Sequence, residues 1–253
     1  MDRIKVLRII TRLNIGGPAI HSIILTKELN DAEFESALLC GVVSKGEREM
    51  LYMARRWSVK PVLVSSLKRE INPFFDMQAL FQIIKFISDF KPHIVHTHTS
   101  KAGALGRIAS ILAGVPIRVH TFHGNIFTGY FGRVATKVFM FVERILSRFT
   151  DVVIVISSQQ KSELIEKYRV IPSDRCRLVR LGFELDTFLN TQKRGFLRKR
   201  YGFNNDDILV GIIGRLVPIK NHKMFIDAVY YIKCHKDTEG LKFLLIGEGE
   251  LKK

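Results

Sequence analysis

Two hydrophobic periods take turns along this chain. Short, near-continuous apolar runs stand at residues 4–13, 34–40, 61–64, 93–98, 118–123 and 151–157. VVIVIS, residues 152–157, shows the type most clearly. Strands covered on both faces of a parallel sheet read this way. Between the runs the apolar spacing changes to i, i+3, i+4, i+7, as in Leu80, Ile83, Ile84 and Ile87. That is the stripe of a helix laid on a sheet. Residues 19–29, 102–112, 133–149 and 158–168 carry the same helical period. Pro92, Gly114, Pro116 and Pro172 punctuate the elements, as residues that stop helices and open turns. The alternation predicts a doubly wound α/β domain over residues 1–187.

A second unit follows a polar, basic linker at 188–205, which contains TQKRGFLRKRYGFNN. Lys193, Arg194, Arg198, Lys199 and Arg200 in it read as a solvated stretch. A strand at 208–216, a helix at 221–235 and a strand at 242–246 then make one βαβ unit within 206–253. A full doubly wound domain takes on the order of 100 to 150 residues. A lone βαβ unit cannot cover both faces of its strands, so this segment is expected to need a partner surface. The chain is therefore expected to be a truncated form.

Charge adds a partner class. The formal net charge is +16 at pH 7 over 253 residues, which points to nucleic acid, an anionic membrane surface or a phosphate-rich substrate. No nucleic-acid motif and no interleaving of aromatic and basic residues on a sheet is present, so no nucleic-acid partner is expected. The N-terminal stretch is broken by Asp2, Arg3, Lys5, Arg8 and Arg12, unlike a signal peptide. No uncharged run is long enough to span a bilayer. Cys40, Cys176 and Cys234 are scattered without a C-x-x-C spacing, as in a reducing cytosol. On the helix at 133–149, Arg133, Lys137, Arg144 and Arg148 share one narrow stripe. Val134, Val138, Phe141, Val142, Ile145 and Phe149 form its apolar face. That face is expected to pack on the sheet with a solvated basic edge; a basic edge beside anionic lipid is the alternative.

Candidate chemistry collects at the ends of the predicted strands, where open α/β sheets bind ligands. Gly16-Gly17 lies between the first strand and the first helix. A glycine pair there brings backbone N–H groups close to an anion, or is a plain turn. VHTHTSKAG, residues 95–103, sets His96 and His98 on one strand face. Thr99 or Ser100 can cap the following helix, with Lys101 at the crevice edge. No acidic or cysteine partner stands at ligand spacing, so no metal is expected. His120 and His123 are three apart and point to opposite faces of an extended strand, unless the strand has already turned at His123-Gly124; His123 sits at the strand end and His120 within it. GRLVPIK, residues 214–220, puts Arg215 and Lys220 on one loop at a helix start, a cation pair suited to a diphosphate.

The glycine pair, HTHTSKAG, VHTFHG, ERILSRFTDVVIVIS and GIIGRLVPIKN, in that order, resemble a family 4 glycosyltransferase of the GT-B fold. The resemblance runs from residue 4 to about 249. It implies a Rossmann-like, acceptor-side N-domain and a truncated second Rossmann-like domain for the nucleotide sugar. It also implies a metal-independent enzyme that retains anomeric configuration and uses no cofactor beyond its UDP- or GDP-sugar donor. Gly16 and Gly17 would lie beneath the donor phosphates. His123 would contact the transferred sugar, and Arg215 and Lys220 would neutralise the departing diphosphate. Gly247, Glu248 and Gly249 would lie near the nucleotide, with Thr99, Ser100 and Lys101 on the acceptor side. The expected reaction moves a hexose or N-acetylhexosamine to a lipid-linked saccharide in surface polysaccharide synthesis. The protein would then be cytoplasmic and peripheral on the inner face of the plasma membrane. The family's paired glutamates for the donor are not met within the 253 residues, and LGFELD stands where N-G-V-D is usual. A non-catalytic remnant that binds acceptor or membrane, and needs a partner for the missing half, is the alternative. A sugar-nucleotide epimerase on the same fold is a further one.

Overall fold

The computed structural model describes residues 3–44, 47–124, 127, 132–192, 195–236, 238–249 and 251–252, apart from the side chain of Thr187. Lys193 and Arg194 of the basic linker lie outside these. The chain divides into two compact units, Met1–Phe183 and Glu184–Lys253.

The first unit is built on strands β1 (Ile4–Arg12), β2 (Phe34–Gly41), β3 (Val62–Leu63), β4 (Ile94–His98), β5 (Ile117–Phe122), β6 (Val152–Val155) and β7 (Cys176–Leu178). They form one sheet in the order β3-β2-β1-β4-β5-β6-β7, and every pairing is parallel. The order reverses between β1 and β4, so a crevice opens at the carboxyl ends of those strands. Helices α1 (Gly17–Glu28), α2 (Leu51–Arg56), α3 (Pro73–Phe90), α4 (Ser100–Leu112), α5 (Arg133–Arg148) and α6 (Ser158–Ser162) link the strands. α6 runs on into a π-helical turn, Glu163–Lys167.

Alternation along β1 assigns the layers. Ile10 packs with Leu38 and Cys40 under Ala19 and Ile23 of α1 and Ala54 of α2. Leu7 and Ile9 point the other way, with Val95, under Ile83 and Ile87 of α3 and Ala102 and Ala109 of α4. On that second face Phe122, Val153, Val155 and Cys176 continue the core beneath Leu164, with Phe139 and Met140 of α5 against it. We call the α1–α2 side the front and the α3–α6 side the back. Local signals fix the helix ends: Asn72 Oδ1 accepts from the backbone N–H groups of Phe74 and Phe75 at 3.1 and 3.2 Å, a side-chain cap that precedes Pro73.

α5 departs from the expectation of an inward apolar stripe. Val134, Val138, Phe141, Ile145 and Phe149 are 78, 54, 61, 41 and 53% exposed. The buried side of the helix is instead Glu143, Leu146 and Ser147. The cause is a polar anchor: Arg107 of α4, 1% exposed, donates from Nη2 to both Glu143 carboxylate oxygens at 2.8 and 2.9 Å. A bidentate pair of this kind fixes which side of a helix faces in.

The second unit holds α7 (Asp186–Leu189), α8 (Phe196–Tyr201), β8 (Ile208–Ile213), α9 (His222–His235) and β9 (Leu241–Ile246). β8 and β9 pair in parallel from Ile208↔Leu241 to Ile213↔Ile246. Ile208, Ile213, Leu245 and Ile246 are all exposed. Val210, at the centre of β8, is exposed as well, whereas Leu7, Arg8, Ile9 and Ile10 at the centre of β1 are buried.

No helix among the described residues is long and apolar enough to cross a membrane.

Candidate active site

The register of β1, β4 and β5 builds a polar column on the front face. Arg8 pairs with His96, and Ile10 with His98; His98 in turn pairs with Thr121. Residues two apart share a face, so Arg8, His96, His98, Thr121 and His123 all look forward. His96 Nε2 and Thr121 Oγ1 are 2.7 Å apart. His98 Nδ1 and His123 Nε2 are 3.0 Å apart, one donating to the other. His21, from α1, closes the group edge-on, with ring centroids 5.2 Å from His123 and 5.9 Å from His98.

His120 faces backward, as its spacing from His123 requires. It is 1% exposed and its Nδ1 is 2.8 Å from Thr97 Oγ1. A Cβ on Gly103 would come within 2.6 Å of the His120 ring, so that helix position has to be glycine. His120 is a core residue.

The front histidines are held neutral. Burial, then the neighbouring His21, brings the His123 imidazole down to about 4. Burial, then the Arg8 charge, does the same to His21, again to about 4. Burial also holds His96 and His98 well below the usual imidazole range. Arg8 is fully buried and has no acidic partner among the described residues; burial lowers its guanidinium to about 10. Its Nη1 donates to Ser36 Oγ, and its Nε finds nothing. His21 Nδ1, His98 Nε2 and His123 Nδ1 are also buried without partners. A positive, hydrogen-bonding floor with spare donors and acceptors suits an anionic or hydroxyl-rich ligand.

The ring nitrogens of His21, His98 and His123 lie within 4.8 Å of one another, so among the described residues these could hold a metal ion. The surroundings fit one poorly. A metal-bound imidazole gives its other N–H to a carbonyl or carboxylate, whereas the second nitrogens of His98 and His123 here bond to each other. The Arg8 charge further opposes a dication.

Gly16 and Gly17 form the entry to α1, with no side-chain cap and no acidic residue in the first turn. A Cβ on Gly17 would meet nothing within 4 Å, so the backbone there borders open space. Thr99 joins the β4 end to α4 at φ 63°, ψ 160°. Glycine alone adopts that region readily; a β-branched residue there costs about 1–3 kcal/mol. Thr11 holds it: its N–H donates to Thr99 Oγ1 at 3.2 Å, the two hydroxyls are 2.7 Å apart, and Thr11 Oγ1 accepts from Ala102 N–H at 3.1 Å. Thr99 is the residue before α4, but its side chain does not cap that helix. Ser100 begins α4 and is half-buried. The Lys101 ammonium is bound by the Glu70 carbonyl and the Asp76 carboxylate, so its charge is already answered.

Arg215 and Lys220 belong to the second unit and are both exposed, with no acidic partner among the described residues. They sit on the loop between β8 and α9, with the Lys220 stem 3.9 Å from where a Gly214 Cβ would be. The Gly247-Glu248-Gly249 turn lies alongside. Gly214 N–H donates to Ile246 O at 3.0 Å and Leu216 N–H to Glu248 O at 2.9 Å. A Cβ on Gly247 would be 1.9 Å from Gly214 O, and one on Gly249 2.4 Å from Leu216 O. His222, in the first turn of α9, is buried with both ring nitrogens unpartnered.

Arg8, His21 and His222 are the functional candidates that sequence reasoning missed. An arginine inside an apolar strand was the available signal for the first. The two histidines sit in helices and carry no motif.

Known proteins agree with this architecture. The Glycosyltransferase Family 4 profile matches residues 15–187. A UDP-Gal:alpha-D-GlcNAc-diphosphoundecaprenol alpha-1,3-galactosyltransferase from Escherichia coli is 33% identical over 195 residues, 77% of this chain and 50% of that protein. The chain spans about half the length of the curated relatives it matches. The crystal structure of Anabaena HepE with UDP and glucose superposes with a TM-score of 0.74 at 18% identity, over 98% of this chain and 62% of that one. A Neisseria meningitidis UDP-GlcNAc 2-epimerase bound to UDP-GlcNAc gives 0.61 at 16%, over 96% and 66%. The likeness to both shows a GT-B-type α/β fold and does not separate transferase from epimerase. The profile match, spanning most of the first unit, does separate them: this chain belongs to Glycosyltransferase Family 4.

Proposed function

We propose that the chain forms the acceptor-side half, and the first part of the donor-side half, of a retaining glycosyltransferase. It transfers a hexose or N-acetylhexosamine from a UDP- or GDP-sugar to a lipid-linked saccharide in surface polysaccharide synthesis. Its partners are the nucleotide sugar, the lipid-linked acceptor and an anionic membrane surface, on which it sits peripherally at the cytoplasmic side. The Escherichia coli relative, named for a UDP-sugar donor and a diphosphoundecaprenol-linked acceptor, supports this reading.

One observation carries it: the neutral His98–His123 pair at the carboxyl end of β4 and β5, on the same face as the uncapped start of α1. Breaking an anomeric C–O bond leaves positive charge on the sugar and negative charge on the diphosphate. Backbone N–H groups at Gly16 and Gly17 then meet the phosphates, and Arg215 and Lys220 take up the charge of the leaving oxygen. Gly247, Glu248 and Gly249 border the nucleotide. His123, uncharged at neutral pH, offers a hydrogen bond to the sugar without adding to its positive charge. Thr99 and Ser100 border the acceptor.

Thermal denaturation of the 253-residue chain with UDP and with GDP tests the reading, since a ligand stabilises the state that binds it. A saturable rise in Tm with one nucleotide is expected, reduced by Gly17→Val and by Arg215→Ala with Lys220→Ala. In a form that includes the rest of the donor-side half, His123→Ala should lower kcat by orders of magnitude. No nucleotide effect on Tm, or an unchanged kcat, sinks it.

A further inference from the structure

A helix laid on a sheet normally turns its apolar stripe inward. α5 does the reverse, and the arrangement is regular along its whole length. At about 100° per residue, its exposed positions fill a single sector of about 160°. Arg133, Arg144, Lys137 and Arg148 occupy the first part of that sector, and the five exposed apolar residues named above occupy the rest. The remaining half of the helix is buried or half-buried.

We propose that α5 is an in-plane docking helix for a lipid bilayer with anionic headgroups. The Phe141–Ile145 stripe enters the interface, and the basic stripe beside it meets the headgroups. This deepens the membrane part of the proposed function and is independent of the sugar chemistry. Charge chooses the occupant. Arg133, Lys137 and Arg148 have no acidic partner among the described residues, and the chain carries +16 overall. A second copy docked antiparallel through this face would set one basic stripe against another, and one docked parallel would leave both stripes without counter-charge. Nucleic acid would satisfy the basic stripe and leave the apolar one in water.

The mount is rigid. Arg107 clamps Glu143 from below, and Arg144 donates to the carbonyls of Arg169 and Tyr168 at 3.0 and 2.8 Å. The stripe is therefore presented already ordered, and docking needs no helix formation.

Flotation of the 253-residue chain with phosphatidylcholine vesicles, alone and with phosphatidylglycerol, tests this. Binding is expected to the anionic vesicles and to weaken as salt rises. Phe141→Ser with Ile145→Ser should cut it about tenfold or more, and Arg133→Gln with Lys137→Gln and Arg148→Gln by a similar factor at low salt. Because these side chains are exposed, Tm should stay at the parent value in both variants. A Phe141→Trp variant should gain fluorescence quenching by brominated lipid, beyond that of the parent. The proposal is overturned if anionic vesicles float nothing, or if flotation survives the serine pair unchanged. A dimer in sedimentation that the serine pair abolishes would give the face to a second copy, and would also overturn it. A chain that floats but ignores UDP and GDP would reject the glycosyltransferase reading and leave this one standing.

Discussion

β4 and β5 carry histidines on both faces, and the two faces treat them in opposite ways. On the back, His120 is hydrogen-bonded to Thr97 and seated against Gly103, and the one buried cation nearby, Arg107, meets a carboxylate. On the front, His96, His98, His123 and His21 gather over Arg8, which has no acidic partner among the described residues, and several polar atoms are left open. The back-face histidine is thus paired within the protein, with Arg107 Nη1 and Ser147 Oγ the atoms left open on that side, whereas the front leaves Arg8 Nε and a nitrogen each of His21, His98 and His123 unpartnered. Completed polar networks hold a fold together. An incomplete one raises the free energy of the folded chain and persists where something else supplies the missing partners.

Acid should expose the front face first. His21 and His123 titrate near 4 when folded, below the ~6.5 of a free imidazole. The unfolded chain therefore binds more protons between those values. Stability is fully present above pH ~6.5 and falls as pH drops toward 4, by about 1.4 kcal/mol per pH unit for each such histidine. Urea unfolding across that range measures it. A flat profile would mean that the front histidines are solvated, and the contrast between the faces would vanish.

The back face should yield to a single substitution. Glu143→Ala strands the Arg107 guanidinium in the interior and is expected to cost about 3–5 kcal/mol. Arg107→Met with Glu143→Leu should recover most of that, because a well-packed apolar pair removes both charges. If Glu143→Ala proves neutral in urea unfolding, the pair is not the anchor of α5.

The smallest expected effect sharpens the contrast most. His98→Leu removes a front-face group whose Nε2 has no partner. Its effect on unfolding should be within about 1 kcal/mol in either direction, because lost hydrogen bonding and relieved desolvation oppose each other. Nucleotide-dependent stabilisation should nevertheless fall. A large loss of stability with normal nucleotide response would make His98 a structural residue like His120.

Much of the fold was legible because its signals are local and repeated. The apolar runs give β1, β2, β4, β5 and β6 to within two residues. β7 went unread because Cys176–Leu178 is three residues long with Arg177 at its centre. Asn72-Pro73 sets the start of α3 by its own chemistry. α5 marks the limit of periodicity: a stripe shows that a helix has two sides and not which side faces in. That choice rests on Arg107 and Glu143, which are 36 positions apart. His123 was legible because strand ends are where ligands bind. His21 was not, because its relation to His98 and His123 exists only once α1 has folded over β1. Lys101 reads from sequence as lying at the crevice edge, and only the tertiary structure brings Asp76 to it.

The interlock of Gly214 and Leu216 with Gly247 and Gly249 has a mechanical result. Each carbonyl occupies the volume that a side chain on the opposite loop would need, and ladder bonds continue past the strand ends. The two loops therefore shift as one body. A displacement of Arg215 is expected to carry the Glu248 turn with it, without any helix having to move.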